Sequence, residues 1–214
     1  RETRYRNRPK NIMDNSWVFA SSNPGKLKEV EELLSPAGLK VVPQSDFNID
    51  PVEETGSTFL ENALQKARHV ALQTGQPAIA DDSGLVVDAL LGQPGIRSAR
   101  FAGDSSNDND NVCKLLNELE NVTKARRGAH FYCVVIAIKS PTDPAPLIGI
   151  GTWSGVITEE PRGEYGFGYD PVFLIPKLKC TAAELPPKTK NRLSHRAKAL
   201  AKIQRLLSTN ASYG

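Results

Sequence analysis

Two adjacent acids, Asp81 and Asp82, stand where the apolar run Pro77-Ala78-Ile79-Ala80 ends and Ser83-Gly84 begins. A carboxylate pair at a strand end costs stability unless something positive lies beside it. A second pair, Glu53-Glu54, precedes Thr55-Gly56. Where folding brings the two pairs together, their repulsion calls for a divalent cation. An all-oxygen donor set points to magnesium, with manganese as a substitute, rather than zinc. Metal-assisted phosphate chemistry is therefore the first reading. On a continuing strand Asp81 and Asp82 face opposite ways. Asp82, nearer the glycine turn, is expected to face the cleft, and Asp81 to turn away or bond the local backbone.

Other stretches supply what such chemistry acts on. Ser21, Ser22, Asn23, Pro24, Gly25 and Lys26 form a strand–turn–helix junction. The free amides and positive dipole end of a helix N-terminus suit a phosphate. The GxxxxGK[ST] pattern of a P-loop is absent, and taken alone the stretch reads equally well as an N-cap followed by a solvated lysine. Lys66 lies on a helix that begins just after the first acid pair. Most helical lysines are solvated, so Lys66 matters only where that helix borders the acids. Phe167 and Tyr169, interleaved with Gly166 and Gly168 and followed by Asp170, offer a stacking face and accessible backbone donors to a flat heterocycle. Ser194-His195-Arg196 sets two donors side by side, with Lys190 more than one turn earlier and able to reach the same cleft edge. Each signal is modest alone. Together, acids for a metal, lysines for phosphates and an aromatic loop for a base describe a nucleotide site.

The elements that must position these residues follow from periodicity. Trp17 to Ala20 and Leu39 to Val42 read as short strands, separated by a helix opening at Lys26. Thr58-Phe-Leu-Glu61 is a capping box and starts a helix that Gly75 ends. Pro77 to Ala80 is a strand, and Leu85 to Leu91 fits helix or strand equally. Val112, Leu115, Leu116 and Leu119 mark a further helix. Ala129 to Ile138 and Leu147 to Ile157 pair as a hairpin whose glycines, Gly149, Gly151 and Gly155, signal bulges or close backbone approach. One last helix is expected from Lys190 to Leu207. Interleaved helices and strands followed by a hairpin predict an α/β fold with a mixed sheet.

At 214 residues the chain has room for one substantial domain, read as 13–210, with residues 1–12 as a polar extension ahead of Met13, its only methionine and the expected native start. A net charge of +3 does not mark a dedicated nucleic-acid binder. No apolar run approaches a membrane span and no signal-peptide core is present. The widely spaced Cys113, Cys133 and Cys180 form no zinc motif and are expected to be reduced, buried thiols of a cytoplasmic protein.

With these residues in view, the chain resembles the inosine triphosphate pyrophosphatase family, in its bacterial-type branch. The likeness rests on Ser21–Lys26, Glu53-Glu-Thr-Gly56, Phe59-Leu-Glu-Asn-Ala63 with Lys66, Ala80–Leu85, Pro94–Arg100, Phe167–Pro171 and Ser194–Arg196, in that order along the chain. Ser21 stands where the family often has threonine, which keeps the hydroxyl. The resemblance implies an elongated mixed sheet flanked by helices, two lobes with a central nucleotide cleft, and a homodimer. It implies hydrolysis of deaminated purine nucleoside triphosphates (ITP, dITP, XTP) to monophosphate and pyrophosphate, which keeps them out of DNA and RNA. It assigns the triphosphate to Ser21–Lys26, magnesium to Glu53 and Asp82, and the proton of the attacking water to Asp82. Lys66 would neutralise phosphate charge, and Glu54 joins Asp82 and Lys66 as a catalytic candidate. Ser83, Phe167, Gly168, Tyr169, Asp170, Lys190, His195 and Arg196 would contact the nucleotide, the later ones holding the base. No stable nucleic-acid or membrane partner is implied.

Two rivals compete with this reading. A Maf-like pyrophosphatase normally opens on an arginine-bearing SxSPxR, where Lys26 stands here. An idle nucleotide- or RNA-binding module sits poorly with four acids and a mild net charge.

Overall fold

The buried strand β1 (Ser16–Phe19) leads into helix α1 (Pro24–Leu34), capped by the Asn23 side chain, which accepts from the Lys26 amide. The computed structural model describes residues 16–211; the expected extension and start at Met13 lie outside them. Strand β2 (Lys40–Pro43) follows, then α2 (Phe59–Thr74). The predicted capping box is present in both directions: Thr58 Oγ1 accepts from the Glu61 amide at 3.2 Å and the Glu61 carboxylate accepts from the Thr58 amide at 2.9 Å. Gly75, in the left-handed region, ends the helix.

Strands β3 (Ala78–Val87), β4 (Gly128–Ile138) and β5 (Leu147–Ile157) form the long middle of a seven-stranded sheet. Short β6 (Phe173–Ile175) and β7 (Cys180–Thr181) finish it, in the order β2-β1-β3-β4-β5-β6-β7. Pairs β1·β2 and β1·β3 are parallel and the rest antiparallel, so the sheet is mixed, as expected.

The period-two alternation of β4 separates two cores. Cys133, Val135 and Ala137 pack with Ile79 against α1 and α5 (His195–Ala211), through Val30, Leu34, Ala199, Leu200 and Ile203. Val134, Ile136 and Ile138 pack with Ala78 and Ala80 against Ala63, Ala67, Val70 and Ala71 of α2. Beyond the acids the same strands enter a third core, where Leu85, Val87 and Phe131 meet Val112 and Leu115 of α3 (Asp108–Glu118). Asp81 and Asp82 thus fall between core regions. Asp81 shares the Ile79 face and looks toward α5, while Asp82 shares the Ala80 face and looks toward α2.

Four expectations change. The strand does not end at Ala80: β3 runs unbroken through Asp81-Asp82-Ser83-Gly84 to Val87, and a 3-10 turn (Asp88–Leu90) follows, which resolves the open reading of Leu85 to Leu91. Gly84 is present for close approach rather than a turn, because a Cβ there would run into the Gly95 carbonyl and the Ser98 hydroxyl. The last helix is divided into α4 (Pro187–Leu193) and α5, because Ser194 is extended and its Oγ accepts from the Ala197 amide, starting a new helix at His195. The cysteines are free, but only Cys133 is buried; Cys113 is exposed and Cys180 half-buried. Gly151 behaves as expected, since a Cβ would strike the His195 carbonyl where α5 crosses β5. No helix among the described residues is long and apolar enough to cross a membrane.

Candidate functional site

Helix α2 delivers two side chains, one turn apart, onto the two oxygens of Asp82. Lys66 Nζ donates to Oδ1 at 3.2 Å and Asn62 Nδ2 to Oδ2 at 3.3 Å. The i, i+4 spacing puts both on one helix face. Lys66 also donates to Glu54 Oε1 at 2.7 Å, which makes one ammonium the link between the two acid segments. The loop carrying those acids is strapped to α2. Gln65 Nε2 donates to the Glu53 carbonyl at 2.8 Å, and Asn62 Oδ1 accepts from the Gly56 amide at 2.8 Å. Glu54 therefore faces Lys66, while Glu53 is exposed at the rim of the same cavity.

The electrostatics follow from this packing. Burial pushes the Asp82 carboxyl up and the Glu54 charge adds to it; Lys66 pulls the other way, and Asp82 stays above the usual carboxylate range. Burial also opposes ionisation of Glu54, but Lys66, with Lys26 and Arg100 behind it, holds it below that range. Burial works against the Lys66 ammonium, and Asp82, Asp81 and Glu54 more than offset it. The residue stays a cation facing carboxylates of unequal acidity.

Asp81 does not bond the local backbone. It is buried and receives Lys26 Nζ at 3.1 Å and Arg196 Nε at 3.2 Å. Burial resists its ionisation, yet Lys26 and Arg196 hold it well below the ordinary range. Arg196 is itself 1% exposed. Its NH1 donates to Glu29 and its NH2 to Ser83 Oγ at 2.9 Å, so one hydrogen remains on each terminal nitrogen. Glu29 also takes Lys190 Nζ at 3.2 Å, and Lys190 reaches Asp170 at 2.6 Å. The result is a buried chain of alternating charge, Lys26–Asp81–Arg196–Glu29–Lys190–Asp170.

The aromatic loop is fastened to this chain. Asp170 accepts from the Phe167 amide at 2.9 Å, and Lys190 Nζ sits 4.5 Å from the centre of the Phe167 ring. The Gly168 amide donates to Asp108 at 2.7 Å, and the Tyr169 hydroxyl donates to the Ser98 carbonyl at 2.8 Å. His195 stacks on Phe131 with ring centres 4.7 Å apart. Burial, with Arg196 and Lys190 adding to it, drives its pKa well below the ordinary imidazole value, so the ring is neutral. Among the described residues its Nδ1 is a buried polar atom without a partner. A buried orphan of this kind is costly unless a ligand or water completes it.

Two adjoining cavities collect these groups. One, of about 640 Å³, is lined by Ser21, Ser22, Asn23, Lys26, Glu53, Glu54 and Lys66, and Gln44 fixes the Ser22 hydroxyl at 3.0 Å. The other, of about 160 Å³, is lined by Asp82, Ser83, Phe167, Gly168, Tyr169, Asp170, Lys190, His195 and Arg196. Asn23, Lys26 and Glu54 border both. Every residue the resemblance assigns to the site lines one of them except Pro24 and Gly25, which open α1 beside Asn23; Asp81 lines neither and lies buried behind Lys26 and Arg196. A larger groove of about 990 Å³, around Phe59, Pro94 and Ile96, contains no carboxylate and lies outside this chemistry. One cavity holds lysines and hydroxyls beside carboxylates, the other is ringed by aromatics and donors, with Asp82 and Glu54 at their junction: a layout that matches a metal-bound polyphosphate joined to a base.

The sequence reading missed Glu29 and gave no role to Asn62, Ser98 and Arg100, although these three lie within motifs it quoted. A glutamate within a helix and an asparagine after a cap carry no local mark of burial, and only the fold brings them to the acids.

A sequence model of the Ham1 family matches residues 17–206. The chain is 53% identical over 189 residues to a dITP/XTP pyrophosphatase of Methylococcus capsulatus, covering 88% of this chain and 94% of that protein. It is 54% identical over 190 residues to a dITP/XTP pyrophosphatase of Xanthomonas oryzae, covering 89% and 96%. Among solved structures, a HAM1 protein from Coxiella burnetii superposes with a TM-score of 0.86 at 48% identity, over 92% of this chain and all of that one.

Proposed function

This chain belongs to the Ham1 family, and on that premise we propose that it hydrolyses deaminated purine nucleoside triphosphates (ITP, dITP and XTP) to the monophosphate and pyrophosphate, keeping them out of DNA and RNA. The observation that carries the reading is Lys66, whose ammonium joins Glu54 and Asp82 where the lysine- and hydroxyl-lined cavity meets the aromatic one.

Water attacks the α-phosphorus and pyrophosphate leaves, so the protein's work is positioning and charge stabilisation. Ser21 to Lys26 and the start of α1 receive the phosphates, and Lys26 and Lys66 face the leaving pyrophosphate. Asp82 is the acceptor for the water's proton. A carboxylate beside a bound dication stays ionised, so Asp82 is a weak proton acceptor there and its hold on the cation carries at least as much of its role. Asn62 positions Asp82 by holding one oxygen and, through Gly56, the neighbouring acid loop. Asn62→Ala is expected to lower kcat about tenfold and to cost roughly 1–3 kcal/mol of stability through the unsatisfied Gly56 amide. Unchanged kcat in a variant with that stability loss would remove the positioning role.

The donor set suits magnesium, with manganese as a substitute. Asp82 and the Glu53-Glu54 pair offer only carboxylate oxygens, Glu54 lying nearest through Lys66. Among the described residues no group of three potential metal-ligating side chains occurs. Phosphate oxygens and water would complete the coordination, as hard cations at phosphate sites favour. When bound, the ion withdraws charge from phosphate oxygens and acidifies coordinated water.

Selectivity rests on the base edge. Deaminated purines present an acceptor oxygen at C6, where adenine presents an amine. The spare Arg196 hydrogens favour the oxygen, whereas the Phe167 and Gly168 amides are already held by Asp170 and Asp108, and the unpartnered Nδ1 of neutral His195 is completed by the bound base. Steady-state assays are expected to give kcat/KM for ITP and XTP about a hundredfold or more above ATP, with activity lost in EDTA and restored by magnesium or manganese. ATP turned over as efficiently as ITP would overturn the reading. We further propose a cytoplasmic homodimer acting on free nucleotides, without a stable nucleic-acid or membrane partner; its mass by sedimentation checks the assembly.

A further inference from the structure

Glu54 is approached by two cations, one at each oxygen. Lys66 makes a short bond to Oε1, whereas Arg100 NH1 stands 3.5 Å from Oε2. That distance is beyond an ordinary N–H···O hydrogen bond. Among the described residues it is the one polar contact the Arg100 guanidinium makes, and the side chain is about a third exposed. A fork of five N–H groups held by one long contact is a donor array with capacity to spare. It opens into the same cavity as Ser21, Ser22, Lys26 and Lys66.

The charge balance there gives the fork a use. Lys26 is matched by Asp81, and Lys66 is shared between Glu54 and Asp82. Arg196 also reaches Asp81, so the deficit lies at Lys66, where without Arg100 one ammonium faces two carboxylates in a site that must take a polyanion. Arginine suits a phosphate better than lysine does, because its planar fork engages two oxygens at once.

The mounting of Arg100 is rigid. It ends the 3-10 turn Gly95–Arg100. Ser98 in that turn donates its hydroxyl to Gly95 at 2.6 Å, accepts from the Leu85 amide at 2.9 Å, and receives the Tyr169 hydroxyl on its carbonyl. Asn111 of α3 donates to the Ala99 carbonyl at 3.1 Å. One short turn therefore ties the aromatic loop on the base side to a guanidinium on the phosphate side.

Resting on the hydrolase reading above, we infer that Arg100 is a further substrate-contacting residue, which leaves Glu54 Oε2 to grip the phosphates that depart as pyrophosphate. It contributes nothing to holding the nucleoside monophosphate.

The two products separate this role from a structural one. Calorimetric titration of the full chain, in magnesium, with pyrophosphate and separately with IMP is the test. Arg100→Ala is expected to weaken pyrophosphate binding about tenfold or more and IMP binding less than about twofold, with Arg100→Lys recovering part of the loss. KM for ITP should rise in the same order. Pyrophosphate affinity within about twofold of wild type, or an equal loss for both products, overturns the inference. Should Arg100→Ala fail to fold, Arg100→Gln is titrated and judged by the same two outcomes. A wild-type protein that releases no pyrophosphate from ITP would sink the hydrolase reading instead, and its titration with pyrophosphate would still judge Arg100.

Discussion

Asp82→Asn is expected to lower pyrophosphate release from ITP by about a thousandfold or more, close to 4 kcal/mol of transition-state stabilisation, while the protein stays folded. The substitution keeps the shape and removes the charge. Asn62 loses its acceptor at Oδ2 or keeps it according to how the new amide turns, and Lys66 retains Glu54 at 2.7 Å. What disappears is the carboxylate that takes the proton and holds one side of the proposed cation. Burial already disfavours the Asp82 charge, so neutralising it is expected to leave the thermal midpoint within a few degrees of wild type. Turnover within about tenfold of wild type would remove Asp82 from the chemistry.

Arg196→Met is expected to show the opposite balance, a large stability loss. Arg196 is the central cation between Asp81 and Glu29, and all three are buried. Deleting one member of a buried pair leaves an uncompensated charge and costs about 3–5 kcal/mol. In a domain of this size that is roughly a 10 °C fall in midpoint. The measurement belongs at neutral pH. Asp81 has a folded pKa below its unfolded value, so its contribution is complete above about pH 4 and fades only as the pH drops through the folded value. Adding Asp81→Asn to the Arg196→Met background should recover part of the loss, because the stranded charge is removed, and a double-mutant cycle measures how much. A midpoint within about 2 °C of wild type for Arg196→Met would show that the network does not stabilise the fold. Arg196 accordingly has two duties: it carries the buried network, and only its two spare hydrogens are left for a base.

How far these residues could be read from the sequence depended on whether the signal was local. The Thr58–Glu61 capping box fixed the start of α2, and with it the phase that sets Lys66 over the acids. The opposite facing of Asp81 and Asp82 followed from strand geometry alone. The partner of Asp81 did not, since Arg196 lies 115 positions away. The Ser83-Gly84 dipeptide looked like a turn because its reason for glycine, the carbonyl of Gly95 and hydroxyl of Ser98, comes from a distant segment. The break at Ser194 was hidden because the apolar spacing of Leu193, Ala197 and Leu200 continues across it, while Ser194 acts as a cap. Glu29 looked like a solvated helical glutamate until Lys190 and Arg196 arrived from the other end of the chain. Local capping and alternation were legible; long-range charge pairing was not, since pattern within one segment carries no record of what another brings against it.

The central claim is that a triphosphate lies with its phosphates among Lys26, Lys66 and the acids and is cut at the α-phosphorus. Hydrolysis of ITP in heavy-oxygen water with magnesium tests it most directly. One pyrophosphate per IMP, with the heavy oxygen on the IMP phosphate, is the predicted result. Release of orthophosphate, or heavy oxygen in the pyrophosphate, would contradict it.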